Sequence, residues 1–105
     1  MRMMEELAAC MMRHVYYHVS ACVCINVEGL VVRVTLFDTI FCAVPREAMI
    51  PCERIVLISN HPDGNMKPLL EDKANAEQIR RLSGKTPELL IYSEYAGICD
   101  IKDKD

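Results

Sequence analysis

The strongest constraint on this chain is the run from Met3 to Val19, MMEELAACMMRHVYYHV, in which apolar residues return at helical spacing from end to end. Set at about 100° per residue, Met4, Leu7, Met11, Val15 and His18 fall in one stripe flanked by Ala8, Met12 and Val19. Arg2, Glu6, Ala9 and Arg13 gather on the opposite side. A one-sided helix has to cover its stripe, so the rest of the chain must supply a sheet, or a second copy must supply a face. Methionines at positions 3, 4, 11 and 12 make the surface adaptable. Packing on the protein's own core is the simpler use of the stripe. A docking face is the sharper one, with Met11, Met12, Arg13, Tyr16 and Tyr17 as its candidate interface residues, since Tyr and Arg are favoured where proteins meet.

What the helix packs on is legible further along. Ala21 to Val27 alternates, with Cys22, Cys24 and Asn26 on one face and Val23, Ile25 and Val27 on the other. Glu28-Gly29 then turns the chain, the glycine able to take a positive φ. Leu30 to Phe37 places Leu30, Val32, Val34 and Leu36 on one side and Arg33 and Thr35 on the other, so the two runs are expected to pair as an antiparallel hairpin. Asp38-Thr39 reads as a turn into a third strand, Ile40 to Val44. Pro45 suits the first position of a short helical turn through Met49 that Pro51 ends.

Ile55 to Ser59 is a short continuous apolar run, expected to be a central strand buried on both faces. Asn60 to Pro68, with two prolines and a glycine, is an irregular loop. A second helix is expected over Glu71 to Ser83, capped near Asp72 and ended by Gly84, with Ala76, Ile79 and Leu82 as a thin apolar side. Glu88 to Tyr95 reads as the last strand, and residues 100–105 as a charged tail that frays. The fold class is therefore α+β. It has an N-terminal amphipathic helix packed on a mostly antiparallel sheet of four or five strands, with a second short helix at the edge, in a single domain spanning 1–105.

A length of 105 residues gives room for one core and no second domain. With no Trp and two Phe, that core must be built from aliphatic residues, Met and Cys. The net charge of −3 mixes twelve basic with fifteen acidic residues, which gives no general attraction to phosphate backbones. Arg46, Arg54, Arg80 and Arg81 are diluted by Glu47, Glu53 and Glu77, so no direct contact with nucleic acid is expected. No apolar run reaches the roughly 18 residues of a membrane span, and Glu5 and Glu6 interrupt any signal peptide, so a cytoplasmic location without membrane attachment is expected. Six cysteines, at 10, 22, 24, 42, 52 and 99, sit in apolar segments and read as buried free thiols.

Chemistry has few places to reside. Cys10, His14, His18 and Cys22 follow one another at i+4, but on a helix they drift apart by about 120° overall, which leaves His14 and His18 as weak metal candidates. The loop residues His61, Asp63 and Asn65 are the candidate ligand-binding set. Cys52 near Glu53, if brought to His61, is the one triple with the residue types of a thiol nucleophile and its base. No cofactor motif is present.

Size, mixed charge and the missing catalytic signature favour a small non-enzymatic protein-binding module that binds a protein partner or self-associates as a homo-oligomer. By class analogy such chains include phage or mobile-element accessory proteins that inhibit a larger host protein. The alternatives are an oligomeric small-molecule or nucleotide-binding protein with a pocket near residues 60–68, and a small metal- or thiol-dependent enzyme.

Overall fold

The computed structural model describes residues 2–46 and 52–101, Arg2 by its backbone alone. Helix α1 (Arg2–Met12) is followed by β1 (Val19–Ile25), β2 (Val31–Asp38), β3 (Arg54–Asn60), α2 (Leu70–Ser83), β4 (Glu88–Ser93) and β5 (Gly97–Ile101). The strands form one sheet in the order β2-β1-β3-β4-β5. All neighbours are antiparallel except β3 and β4, which run parallel because α2 carries the chain back between them. The architecture is the expected α+β one, with β3 central and buried on both faces.

Strand alternation divides the core in two. Ala21, Val23 and Ile25 of β1, Val56 and Ile58 of β3, and Leu90 and Tyr92 of β4 meet Met4, Ala8 and Met12 of α1 on one face. Cys22, Ile55, Leu57 and Leu89 meet Ile79 of α2 on the other, joined by Phe37 and Val44. The α1 row that points straight at the sheet is Met4–Ala8–Met12, with Leu7 and Met11 on its flank, so the stripe sits slightly rotated from the one the spacing suggests. Met12 is 1% exposed and belongs to this core, which withdraws it from the interface candidates.

Helix α1 stops at Met12 although the i+4 spacing runs on to Val19. His14 adopts φ 62°, a left-handed conformation that ends helices. The Val15 N–H turns back to the Met12 carbonyl at 3.1 Å, and the chain runs irregularly through a bend at Tyr17 before β1 begins at Val19. The expected strand Ile40 to Val44 is absent, because the backbone there is satisfied in another way. Asp38 Oδ1 accepts the Ile40 N–H at 2.9 Å, and Gln78 of α2 accepts the Val44 N–H at 2.6 Å while donating to the Cys42 carbonyl at 3.4 Å. Of the expected helical turn, Glu47 to Met49 and the closing Pro51 lie outside the described residues.

Gly84 closes α2 at φ 75°, its N–H on the Arg80 carbonyl at 2.9 Å. Asp72 lies in the third helical position, where its carboxylate accepts the Leu69 N–H at 2.8 Å. The strand at Glu88 ends at Ser93, and a fifth strand takes up Asp100 and Ile101. Of the expected row Leu30, Val32, Val34 and Leu36, only Val34 packs on the core; the register shift opposite Cys24 and Ile25 sets Val31 against Ile25 and on the core in place of Val32.

Candidate functional site

Strand direction brings the informative loops together. β1 begins, β2, β3 and β4 finish, and β5 begins at one end of the sheet, so segments 13–18, 39–42, 61–69 and 94–96 gather there. The parallel neighbours β3 and β4 end side by side, a position where open sheets commonly present function.

Beneath this end lies a closed polar network. Asp72 Oδ1 accepts the Ser59 hydroxyl at 2.5 Å, and Asp72 Oδ2 accepts His61 Nε2 at 2.8 Å together with the Leu69 N–H. His61 Nδ1 lies 2.6 Å from the Asn65 carbonyl, which can only accept. That contact requires a proton on Nδ1, and the carboxylate calls for one on Nε2, so the ring is an imidazolium paired with a carboxylate. Both side chains are 0% exposed. Burial opposes charge on each, yet the hydrogen bond and field of Asp72 raise the His61 pKa. Burial likewise opposes the Asp72 charge, but the bonds from His61, Ser59 and Leu69 hold its carboxyl below the usual range.

Asn60 connects the network to the surface. Its side-chain nitrogen donates to the carbonyls of Val15 at 3.1 Å and Tyr17 at 2.9 Å, and its own carbonyl accepts His18 Nδ1 at 3.2 Å. The His18 ring stands edge-on to His61 with centroids 5.4 Å apart. His14 Nδ1 meets Glu94 Oε1 at 3.0 Å, tying the 13–18 loop to the β4–β5 turn.

Above the network the surface is aromatic. Of the chain's four Tyr and two Phe, only Phe37 and Tyr92 are buried; Tyr16, Tyr17, Phe41 and Tyr95 are exposed by 70, 64, 79 and 80%, and all four sit on loops at this end. Ile40 and Leu70 are exposed there as well.

The sequence-derived candidates fare differently. Arg13, Tyr16 and Tyr17 are exposed at the loop end, and Met11 is half-buried on the flank of the core. His61, Asp63 and Asn65 share one loop, in which His61 is buried while the exposed Asp63 and Asn65 spend their side-chain oxygens on the loop's own backbone: Asp63 Oδ1 accepts the Asn65 N–H and Asn65 Oδ1 accepts the Lys67 N–H, each at 3.1 Å. They build the loop and do not converge on an open cavity. A groove of about 690 Å³ lies elsewhere, between α2 and the start of β4, floored by Ala76, Leu89 and Ile101, with Pro68 its one residue from the 60–68 region.

His14 and His18 are not on one helix and do not face a common point; each is held by its own partner. Among the described residues no group of three or more His, Cys, Asp or Glu is arranged to hold a metal ion. Cys52 and His61 flank the two ends of a seven-residue strand, roughly 23 Å apart at the usual rise, so the thiol triple does not assemble. Ser59, Asp72 and His61 contain the residue types of a hydrolytic triad, but Asp72 stands in the middle and both imidazole nitrogens are occupied, which leaves no base facing the hydroxyl. Burial pushes the Cys22 and Cys24 thiols up to about 11 and about 12, keeping them protonated. Arg54 is paired with Glu88, and Arg80 and Arg81 with Glu77.

Ser59, Asn60, Phe41 and Tyr95 escape the sequence reading. Phe41 and Tyr95 were hidden by apolar neighbours that read as strands, and nothing local marks Asn60 as a partner of Tyr17.

Fold and surface together define a small α+β domain with an aromatic loop end on a buried ionic base. Compared with family models, with curated proteins and with solved structures, the chain matches none.

Proposed function

We propose that this protein is a small non-enzymatic protein-binding module that takes a larger protein partner at its loop end. The observation that carries this reading is the partition of its aromatic residues: a domain without Trp leaves four of its six Tyr and Phe in water, all at one end. Aromatic side chains supply large contact area with few torsions to freeze, and they dominate binding hot spots. The Asn60 bonds and the His14–Glu94 pair hold two of these loops in place, which lowers the ordering cost of association. Arg13 beside the tyrosines adds the other residue type favoured at such surfaces.

The six free cysteines suit a reducing compartment, and we place the protein in the cytoplasm on that ground. Among the described residues no helix is long and apolar enough to cross a membrane. Inhibition of a host protein by a phage or mobile-element accessory product is one form this module takes, by analogy of class.

The test uses the immobilised chain beside a variant carrying Tyr16→Ser, Tyr17→Ser, Phe41→Ser and Tyr95→Ser. A protein retained by the natural chain, lost by the variant and bound by the natural chain in purified form at micromolar affinity or better supports the reading, provided both chains melt alike. A partner retained equally by both removes the loop end from the interaction. A second reading, small-molecule binding, is favoured by the volume of the α2–β4 groove, which falls within the roughly 300–1,000 Å³ of ligand pockets. Ala76→Trp would fill that groove, blocking ligand uptake while leaving partner capture intact.

A further inference from the structure

We infer that β2 is a self-pairing edge, through which two copies of the chain join antiparallel to make a continuous ten-stranded sheet. The inference is independent of the loop-end reading, since β2 presents its backbone and not its terminal loop.

Among the described residues both outer strands, β2 and β5, have a strand neighbour on one side alone and leave the other edge's N–H and carbonyl groups without one, but they are not equivalent. β5 has five residues and carries Asp100. β2 has eight, with Arg33 as its one charge before the terminal Asp38. Short length and charge are the devices that keep edges from pairing, and β2 largely lacks them. The register shift opposite Cys24 and Ile25 disturbs only the start of β2, leaving Arg33 to Asp38 in regular pairing with β1.

The regular run is self-complementary. Residues on facing strands share a side of the sheet when they lie directly opposite, so a two-fold axis at Thr35 sets Thr35 against its own copy and Val34 against the partner copy's Leu36, twice. Leu36 and Val34 point to the face of Ala21 and Val23, so the new contact extends the α1-side core past the edge of the sheet. It also covers Leu36, which is 52% exposed in the single chain. Arg33 falls opposite Phe37, on the other face, and the two arginines do not oppose one another, so charge does not veto this register. A partner strand must be apolar, alternating and free of like charge against Arg33; a second copy of β2 meets each condition.

Eight residues a side is well below the roughly 20–30 of a standard interface. The association is therefore weak and reversible, populated at high micromolar concentration and lost on dilution.

Sedimentation velocity over a wide concentration range, joined to hydrogen exchange, tests this on the full chain. The expected result is a monomer–dimer equilibrium with amide protection in β2 that rises with concentration while β5 stays unchanged. Leu36→Lys alters an exposed position, and its thermal melt monitors the fold. It should weaken dimerisation at least tenfold with an unaltered melt, and Val32→Lys, at the disturbed start of the strand, should weaken it less. A monomer at every concentration overturns the inference. So does a dimer that Leu36→Lys leaves intact, or protection of β2 that appears only when another protein is added.

Discussion

The side-chain nitrogen of Asn60 sits 2.9 Å from the carbonyl oxygen of Tyr17, across 43 residues of sequence, and so fixes an exposed aromatic loop to the end of the central strand. The same nitrogen also takes the Val15 carbonyl, so one buried side chain satisfies two groups that α1 abandoned when it stopped at Met12. Asn60→Ala strands both carbonyls and should cost about 1–3 kcal/mol in urea unfolding. If the loop end is the binding surface proposed above, affinity should fall as well, although Asn60 itself is buried.

The ion pair beneath the loop makes stability depend on pH from both sides. The His61 pKa is raised above 6.5, so its contribution is complete below that pH and is lost as pH rises through the folded-state value. The Asp72 pKa is lowered below 3.8, so its contribution is complete above that pH and is lost as pH falls through the folded-state value. Urea midpoints measured across pH should show greatest support from this pair between 3.8 and 6.5. His61→Gln should flatten the alkaline arm of the profile. Asp72→Ala leaves a buried imidazolium without its counter-charge and should cost about 3–5 kcal/mol.

Met12 and Tyr17 separate core from surface. Met12→Ala opens a hole beneath α1 and should destabilise by about 2–5 kcal/mol. Tyr17→Ser should change stability by no more than about 0.5 kcal/mol and act on binding alone. Equal effects on folding from the two substitutions would contradict the surface assignment of Tyr17.

Thiol labelling followed by intact mass should distinguish the cysteines. Cys10 is exposed on α1 and should react in the native protein, whereas Cys22 and Cys24 are buried and held protonated. Cys24, its thiol pushed up to about 12 by burial and by the neighbouring Cys52, should label only on unfolding.

Elements defined by their own periodicity were legible in the sequence: the β1–β2 hairpin with Gly29 at φ 81°, the apolar central strand, and α2 with its Gly84 stop. Errors arose where a distant side chain replaced a local rule. Asn60 draws residues 15–17 out of the helix that their spacing suggests, and Gln78 satisfies the backbone at 42–44 so that an apolar run need not become a strand. Tyr16 and Tyr17 were recoverable as surface residues because they lie side by side next to Arg13. His61 pointed the other way: its surroundings of Pro, Asp and Gly suggested an open loop, while its ring is committed to Asp72 eleven residues on. That partnership depends on the β3–α2 turn and leaves no mark in local composition.

The packing of α1 on β4 and β5 also has a consequence in time. The first helix of this sequence has to wait for the strands at residues 88–101, which are synthesised more than seventy residues later. At about 5–20 residues per second that interval is on the order of ten seconds. Throughout it the row Met4, Ala8 and Met12 lacks Leu90 and Tyr92, and the nascent chain presents to chaperones a methionine-rich helix that the finished protein conceals.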